Sequence, residues 1–485
     1  MNLARLVELG EAIHQELGRE YYLTGAGLKN EPAFQAIYDR FAVLVSDEAL
    51  AAARASGSAP LVEWVVGIRI GRLVASLEEA QLRWEQAAVV RACGREVPYL
   101  RVPIELANEP DRGTRQALDT ARAQLVAGEV TRLRRERFAL EHDAVKRLGY
   151  RDYVSGSGAL MGIDLLELAR AGEAFLAASE ALYRDALGRL IRRRLGVPLG
   201  QLARADVAWA FRANDYDAAF PLTTLVETAV RQMREMGIDA HQAGRVRFDT
   251  DERAGKQPRA FCVPIRVPEE VYLVLRPRGG HGDYRTLWHE LGHALHFASV
   301  DRGRSFADRW LGDNSVTEAY AMLWDHLTLE AGWLARYTGL RAAEVRDLRF
   351  ELLVHELYGV RRYAAKLAYE TVLHGTGLTN GGPEYASRLT DATLFRYGPE
   401  DYLQDVDPGF YAARYLRAWQ LEAALSAELG RGFDEDWFRN PRAGVFVQHL
   451  MSRGQADPAD RLAAEVTGVP LSFGPLLSRL EAELQ

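Results

Sequence analysis

Two histidines and a glutamate stand within five residues of one another, in the sequence His289-Glu290-Leu291-Gly292-His293. On an α-helix, residues four apart lie one above the other on the same face, so His289 and His293 can bind a single zinc ion. Glu290 would project beside them toward a water molecule at the open coordination position. The pattern therefore predicts a hydrolytic zinc site with Glu290 as the base.

The residues around this motif indicate an amphipathic helix. Leu287, Leu291 and Leu295 recur every four residues and mark its buried stripe, while the histidines fall on another side. We expect Asp283 to lie just before this helix and to cap it. The alternative is a helix with surface histidines and no metal.

A third metal ligand is expected downstream, and Glu318 fits this role with 24 residues between His293 and itself. The same glutamate completes a possible capping box, Ser315-Val316-Thr317-Glu318, in which it would only bond back to the backbone. With the histidines upstream, the spacing favours the ligand. Asp325 returns to the same helical face and is predicted to accept a hydrogen bond from a ligand histidine.

Most of the chain has the hydrophobic period of a helix. The clearest predicted helices are residues 3–17, 32–53, 61–89, 114–148, 165–195, 221–236 and 344–373.

Just before the zinc motif, residues 260–267 and 271–275 predict a β-hairpin, and Pro264 places its first strand at a sheet edge. Such an edge can hold an extended peptide, or the hairpin can simply cover the core. A break in the helical pattern at 195–200 predicts an N-terminal helical part, 1–195, and a catalytic part, 196–485, unless the two form one continuous domain.

Composition narrows the classes of partner and compartment. The chain has 485 residues, 48% of them hydrophobic and 26% charged, with a net charge of −7. That charge gives no reason to expect nucleic acid or an anionic membrane as a partner. Cys93 and Cys262 imply no disulfide framework. Without a signal peptide or an apolar run of membrane-spanning length, we expect a soluble cytoplasmic protein.

Several stretches together resemble the thimet oligopeptidase and oligoendopeptidase F family of zinc metallopeptidases. They are HELGHALH, the 24-residue gap, VTEAYAMLWDHL, the hairpin RAFCVPIRVPEEVYLVL and the segment DYRTLWHE. The similarity is good over residues 149–325, weaker to about 454, and only helical in character before that.

The resemblance implies a mainly α, bilobed, zincin-type metallopeptidase with a small sheet beside its zinc helix and a narrow channel. One zinc per chain would be held by His289, His293 and Glu318, with Glu290 as catalytic base. Short peptides would be the substrates.

The chain departs from the family near residues 409–419 (GFYAARYLRAW), where family members carry tyrosines that bind the substrate carbonyl. Here Tyr411 and Tyr415, one helical turn apart, are predicted to take that role. Arg414 or Arg417 are the alternatives.

A zinc carboxypeptidase of related helical fold is a second interpretation of the function, in which one of these arginines binds the terminal carboxylate of the substrate. A helical peptide-binding protein without catalysis is a third, and the oligomeric state stays open.

Overall fold

The computed structural model describes residues 1–378 and 380–485, and most of them lie in helices. The predicted mainly α class with a small sheet is confirmed. Within the described residues, no helix combines the length and the apolar character needed to span a membrane.

The described helices, numbered in chain order, are α1 (Leu3–Gly25), α2 (Phe34–Arg40), α3 (Asp47–Ala55), α4 (Ala59–Ala87), α5 (Val102–Asn108), α6 (Arg112–Leu125), α7 (Thr131–Arg147), α8 (Tyr153–Met161), α9 (Leu165–Ala178), α10 (Glu180–Arg194), α11 (Val207–Ala210), α12 (Leu225–Glu235), α13 (His281–Ser299), α14 (Phe306–Trp310), α15 (Asn314–Asp325), α16 (Ala331–Tyr337), α17 (Ala342–Thr376), α18 (Gly381–Thr393), α19 (Tyr411–Phe433), α20 (Pro441–Met451), α21 (Ala459–Thr467) and α22 (Gly474–Leu484). The strands are β1 (Val89–Ala92), β2 (Arg95–Pro98), β3 (Val246–Asp249), β4 (Phe261–Arg266) and β5 (Glu270–Val274).

The chain forms two compact units, each assembled from three separate stretches. Unit 1 comprises Met1–Arg72, Asn214–Arg349 and Arg417–Leu476, and unit 2 comprises Leu73–Ala213, Phe350–Leu416 and Leu477–Gln485. The division predicted at residue 195 does not coincide with these units, because Leu195 and Gly196 both belong to unit 2. A local break in helical pattern marks a turn, whereas a compact unit is defined by packing between distant segments.

Several predicted helices are divided in the structure. Residues 32–53 contain α2 and α3, and the side chain of Ser46 caps α3 by accepting a hydrogen bond from the amide of Ala49 at 3.2 Å. The helix predicted over 114–148 is interrupted at Val126–Val130, where Gly128 leaves helical geometry. The helix predicted over 165–195 is split at Ser179 into α9 and α10. In each case the hydrophobic period continues across a short break and therefore hides it.

The predicted hairpin is present as β4 and β5, which pair antiparallel. The strand order of this sheet is β3-β5-β4, so β4 lies at an edge, as Pro264 indicated. The short strand β3, which the sequence did not predict, runs parallel to β5. In unit 1, α13 packs against the face that carries Cys262 and Val271, and α1 packs against the opposite face.

Helices α13 and α15 approach each other closely at Gly292. A Cβ atom on this glycine would lie 2.6 Å from the Cα of Ala321, so only glycine permits the observed contact. Every residue from Ser315 to Asp325 is buried, which fixes α15 within unit 1. This packing places the glutamate of one helix beside the histidines of the other.

Candidate metal centre

Three side chains from α13 and α15 converge in unit 1. The Nε2 atoms of His289 and His293 lie 3.5 and 3.6 Å from Oε2 of Glu318. One potential ligand atom from each of the three residues lies within 4.8 Å of the others. These are the three residues that the sequence motif and its spacing predicted as metal ligands.

The other ring nitrogen of each histidine has its own hydrogen-bond partner. Nδ1 of His289 lies 2.7 Å from Oδ2 of Asp325, and Nδ1 of His293 lies 2.9 Å from Oγ1 of Thr317. When Nδ1–H donates to these oxygens, Nε2 of each ring is the atom that faces Glu318 and is available to a metal. Asp325 therefore lies where the sequence placed it, whereas Thr317 was not foreseen.

The pKa values of His289 and Glu318 are shifted by their charged neighbours in the cluster. Burial lowers the pKa of His289, but the carboxylates of Asp325 and Glu318 outweigh that effect and raise it to about 10. Burial also raises the pKa of Glu318, and the two histidines reverse this and hold it well below its usual range. A concentration of negative charge behind two imidazoles is the environment that favours a bound cation.

The donor set fits a divalent metal. Two imidazole nitrogens and one carboxylate oxygen are the ligands of catalytic zinc sites, which keep one position open for water or substrate. The residues present would hold such an ion through His289, His293 and Glu318.

The capping-box alternative for Glu318 is not formed. The N-cap of α15 is Asp313, whose side chain accepts a hydrogen bond from the amide of Ser315 at 3.0 Å. The hydroxyl of Ser315 is buried and has no hydrogen-bond partner among the residues that the structure describes. Glu318 lies one turn further into the helix, facing His289 and His293.

The expected role of Asp283 is corrected in detail. The helix begins at His281, after Gly280, so Asp283 lies in its first turn rather than before it. Its carboxylate accepts hydrogen bonds from the amides of Arg278 and, at 2.6 Å, of Gly279. The side chain thus stabilises the loop that leads into the helix, because it reaches backward from the first turn.

Glu290 lines a cavity of about 330 Å³ together with His289 and Asp325. Arg259, Arg276 and Arg285 line the same cavity. The predicted base is therefore accessible in the space beside the ligand cluster.

The predicted carbonyl-binding tyrosines lie in unit 2, whereas the ligand cluster lies in unit 1. Tyr411 and Tyr415 are half-buried and contact each other edge to face, with ring centroids 5.2 Å apart. The ring of Tyr415 also lies 5.2 Å from that of Tyr363. Their assignment as carbonyl donors stays a prediction.

Of the alternative arginines, Arg414 is buried in unit 2, and Arg417 belongs to unit 1 and is held in ion pairs. Its guanidinium lies 3.1 Å from Oδ2 of Asp313 and 2.6 Å from Oδ2 of Asp460. Because Asp313 caps α15, Arg417 supports the helix that carries Glu318.

Comparison with known proteins defines the fold. No protein-family model and no curated protein sequence matches the chain. Solved structures do match, including one described as an oligoendopeptidase F from Bacillus anthracis, with a TM-score of 0.62 and 16% identity over 96% of this chain and 85% of that one. A structure of Pz peptidase A with an inhibitor matches with a TM-score of 0.65 and 15% identity, again over 96% and 85%.

The M32 carboxypeptidase from Deinococcus radiodurans matches with a TM-score of 0.58 and 16% identity. That match covers 99% of this chain and 98% of the carboxypeptidase. The chain therefore shares the fold of these helical peptidases, as the resemblance of its motifs led us to expect.

Proposed function

We propose that the chain is a zinc-dependent peptidase that cuts within short peptides. The observation that carries this proposal is the convergence of two imidazole nitrogens and a carboxylate oxygen within 4.8 Å, beside an accessible glutamate. The likeness in fold to oligoendopeptidase F and Pz peptidase A supports it.

Each residue of the centre has a distinct role in this proposal. Asp325 and Thr317 orient the two imidazoles, so that the ligand nitrogens need little rearrangement during turnover. A divalent ion, when bound, would acidify a water molecule and polarise the substrate carbonyl. Glu290 would take the proton of the attacking water and deliver it to the amine of the departing peptide.

A peptide digest tests the proposal directly. The purified protein is incubated with a defined mixture of unstructured peptides, and the products are identified by mass spectrometry. Glu290→Gln is the matched variant, because it keeps the three ligands and the shape of the site but removes the base. We expect internal cleavage by the wild-type protein and nearly none by the variant. Equal rates would contradict the role of Glu290, and no cleavage by either protein would favour a peptide-binding protein.

A second candidate is a carboxypeptidase. Two observations favour it: the near-complete mutual coverage with the M32 carboxypeptidase, and the three arginines in the cavity beside Glu290. A guanidinium binds a terminal carboxylate through paired hydrogen bonds. Arg417 was one of the residues that the sequence suggested for binding the terminal carboxylate. In the structure it forms ion pairs with Asp313 and Asp460.

Blocked peptides separate the two candidates. A peptide acetylated at its N-terminus and amidated at its C-terminus is compared with the same peptide carrying a free C-terminus. An endopeptidase cleaves both forms, whereas a carboxypeptidase requires the free carboxylate.

A further inference from the structure

A buried histidine, His326, lies behind the aspartate that orients His289. Nε2 of His326 lies 3.5 Å from Oδ1 of Asp325, and its Nδ1 lies 2.9 Å from Oε2 of Glu422. Asp325, His326 and Glu422 are 4%, 3% and 1% exposed, so all three side chains are buried. They connect the end of α15 to α19 entirely within unit 1.

Asp325 and His326 lie between the predicted metal ligand His289 and the carboxylate of Glu422, and each residue contacts the next. Oδ2 of Asp325 contacts His289, while its Oδ1 contacts His326 and, at 3.3 Å, Nε of Arg285. The carboxylate of Asp325 therefore has neighbours at both oxygens, and these restrict the orientation of its plane. Arg285 stays on Oδ1 when an outer partner is removed, but the plane is then held less tightly, and the imidazole that depends on it has more freedom to turn.

We propose that His326 and Glu422 are positioning residues that act on His289 through Asp325. Glu422 holds the ring of His326, His326 holds the carboxylate of Asp325, and Asp325 presents Nε2 of His289 toward Glu318. The inference rests on the proposed function, because it requires that His289, His293 and Glu318 bind a metal. The competing explanation is that Glu422 and His326 only join α15 to α19 and leave the ligand unaffected.

Metal affinity distinguishes the two explanations without reliance on activity. Zinc affinity is measured by competition with a chromophoric chelator, at a temperature at which every variant is folded. We expect Asp325→Asn to weaken binding by roughly 10–100-fold, the usual cost of losing a direct partner of a ligand histidine. Glu422→Gln, which keeps the shape of the side chain, should weaken it by about tenfold, at the lower end of that range.

Two control variants each remove a carboxylate that has no contact with Asp325 or His326 among the contacts described above. Glu428 lies on the same helix as Glu422 and forms an ion pair with the neighbouring Arg431, so Glu428→Gln is the first control. Glu235→Gln removes a carboxylate that accepts hydrogen bonds from Arg336 and Tyr337 elsewhere in unit 1. Both should leave zinc affinity unchanged.

The double variant Asp325→Asn/Glu422→Gln tests the route of the effect. If Glu422 acts through Asp325, the second substitution adds nothing to the first, and the two effects are not additive. Should Glu422→Gln prevent folding, His326→Gln takes its place in the same cycle.

The positioning role is overturned if Glu422→Gln lowers the melting temperature but binds zinc like the wild type, or if the two effects add fully. Failure of the wild-type protein to bind zinc would instead refute the proposed function, so the two failures are distinguishable.

Discussion

At the scale of single residues, each imidazole of the candidate centre is held at one nitrogen so that the other faces Glu318. The partners are Asp325 and Thr317, which lie on the same helix as Glu318. One helix therefore supplies both a ligand and the groups that orient the other two ligands. Small rotations of α15 would disturb all three ligands together.

The ligand role of Glu318 and its capping alternative predict different responses to substitution. Glu318→Gln should weaken metal binding by more than the roughly 10–100-fold that loss of an outer partner costs, because it removes a charged ligand. Ser315→Ala should change neither affinity nor stability, since the Ser315 hydroxyl makes no hydrogen bond within the described part of the chain. Chelator competition and thermal unfolding measure both quantities. A loss of about 1 kcal/mol in Ser315→Ala, with normal affinity in Glu318→Gln, would support the capping box.

The carbonyl donor is tested by removing single hydroxyl groups. If Tyr411 or Tyr415 contacts the substrate carbonyl, its replacement by Phe should lower kcat by roughly 100-fold or more with little change in KM. Arg417→Ala is the comparison, and we expect it to lower the melting temperature because Arg417 pairs with Asp313 and Asp460. Two fully active Phe variants, beside a folded but inactive Arg417→Ala, would assign the role to the guanidinium.

The sequence indicates residues of the centre only where the chemistry restricts the residue type. His289, Glu290, His293 and Glu318 form a motif because few side chains can bind zinc or move a proton. Thr317, His326 and Glu422 carry no such signal. A threonine or a glutamate inside a helix is ordinary, and only the packing of α13, α15 and α19 gives these residues their contacts.

At the scale of elements, the contact between α13 and α15 depends on Gly292. Gly292→Ala would place a methyl group 2.6 Å from the Cα of Ala321 and should force the helices apart. We expect a lower melting temperature and weaker metal binding, since the ligands come from both helices. Gly282→Ala, on the same helix with nothing within 4 Å of the added atom, is the matched control. Equal behaviour of the two variants would contradict this explanation of the glycine.

A short hairpin with an unusual turn is among the elements that the sequence did not predict. The hairpin of β1 and β2 lies where a helix was predicted to continue to Val89, but α4 ends at Ala87. Its turn residues, Cys93 and Gly94, have φ angles of 52° and 71°. A tight turn of this kind is usually marked by Asn-Gly or Asp-Gly, and cysteine gives no such warning. By contrast, β4 and β5 were recognisable because Pro264 and β-branched residues define them.

At the scale of the whole molecule, the free energy of unfolding should depend on pH, because a buried histidine stays neutral in the folded protein. Burial lowers the pKa of His296 to about 3, whereas in the unfolded chain a histidine titrates near 6.5. As pH falls from 6.5 toward 3, the unfolded chain therefore binds a proton that the native protein does not, and stability is lost. The contribution of this residue amounts to about 2 kcal/mol between pH 7 and pH 5.

Urea unfolding of the metal-free protein at these two pH values measures the effect. His296→Leu should show a smaller loss of stability than the wild type, because the leucine does not titrate. The comparison is between the two pH-dependent losses, so any change in absolute stability from the substitution cancels. Identical losses in both proteins would show that His296 is not the group responsible.

We expect His289, His293 and Glu318 to bind one divalent ion. Elemental analysis of the purified protein, with chelator titration of the wild type and of His293→Ala, tests it most directly. We predict about one zinc per chain in the wild type and loss of tight binding in the variant, because removal of one imidazole leaves only two protein ligands. A wild-type protein that holds no divalent ion tightly, or a variant with unchanged metal content, would contradict the account.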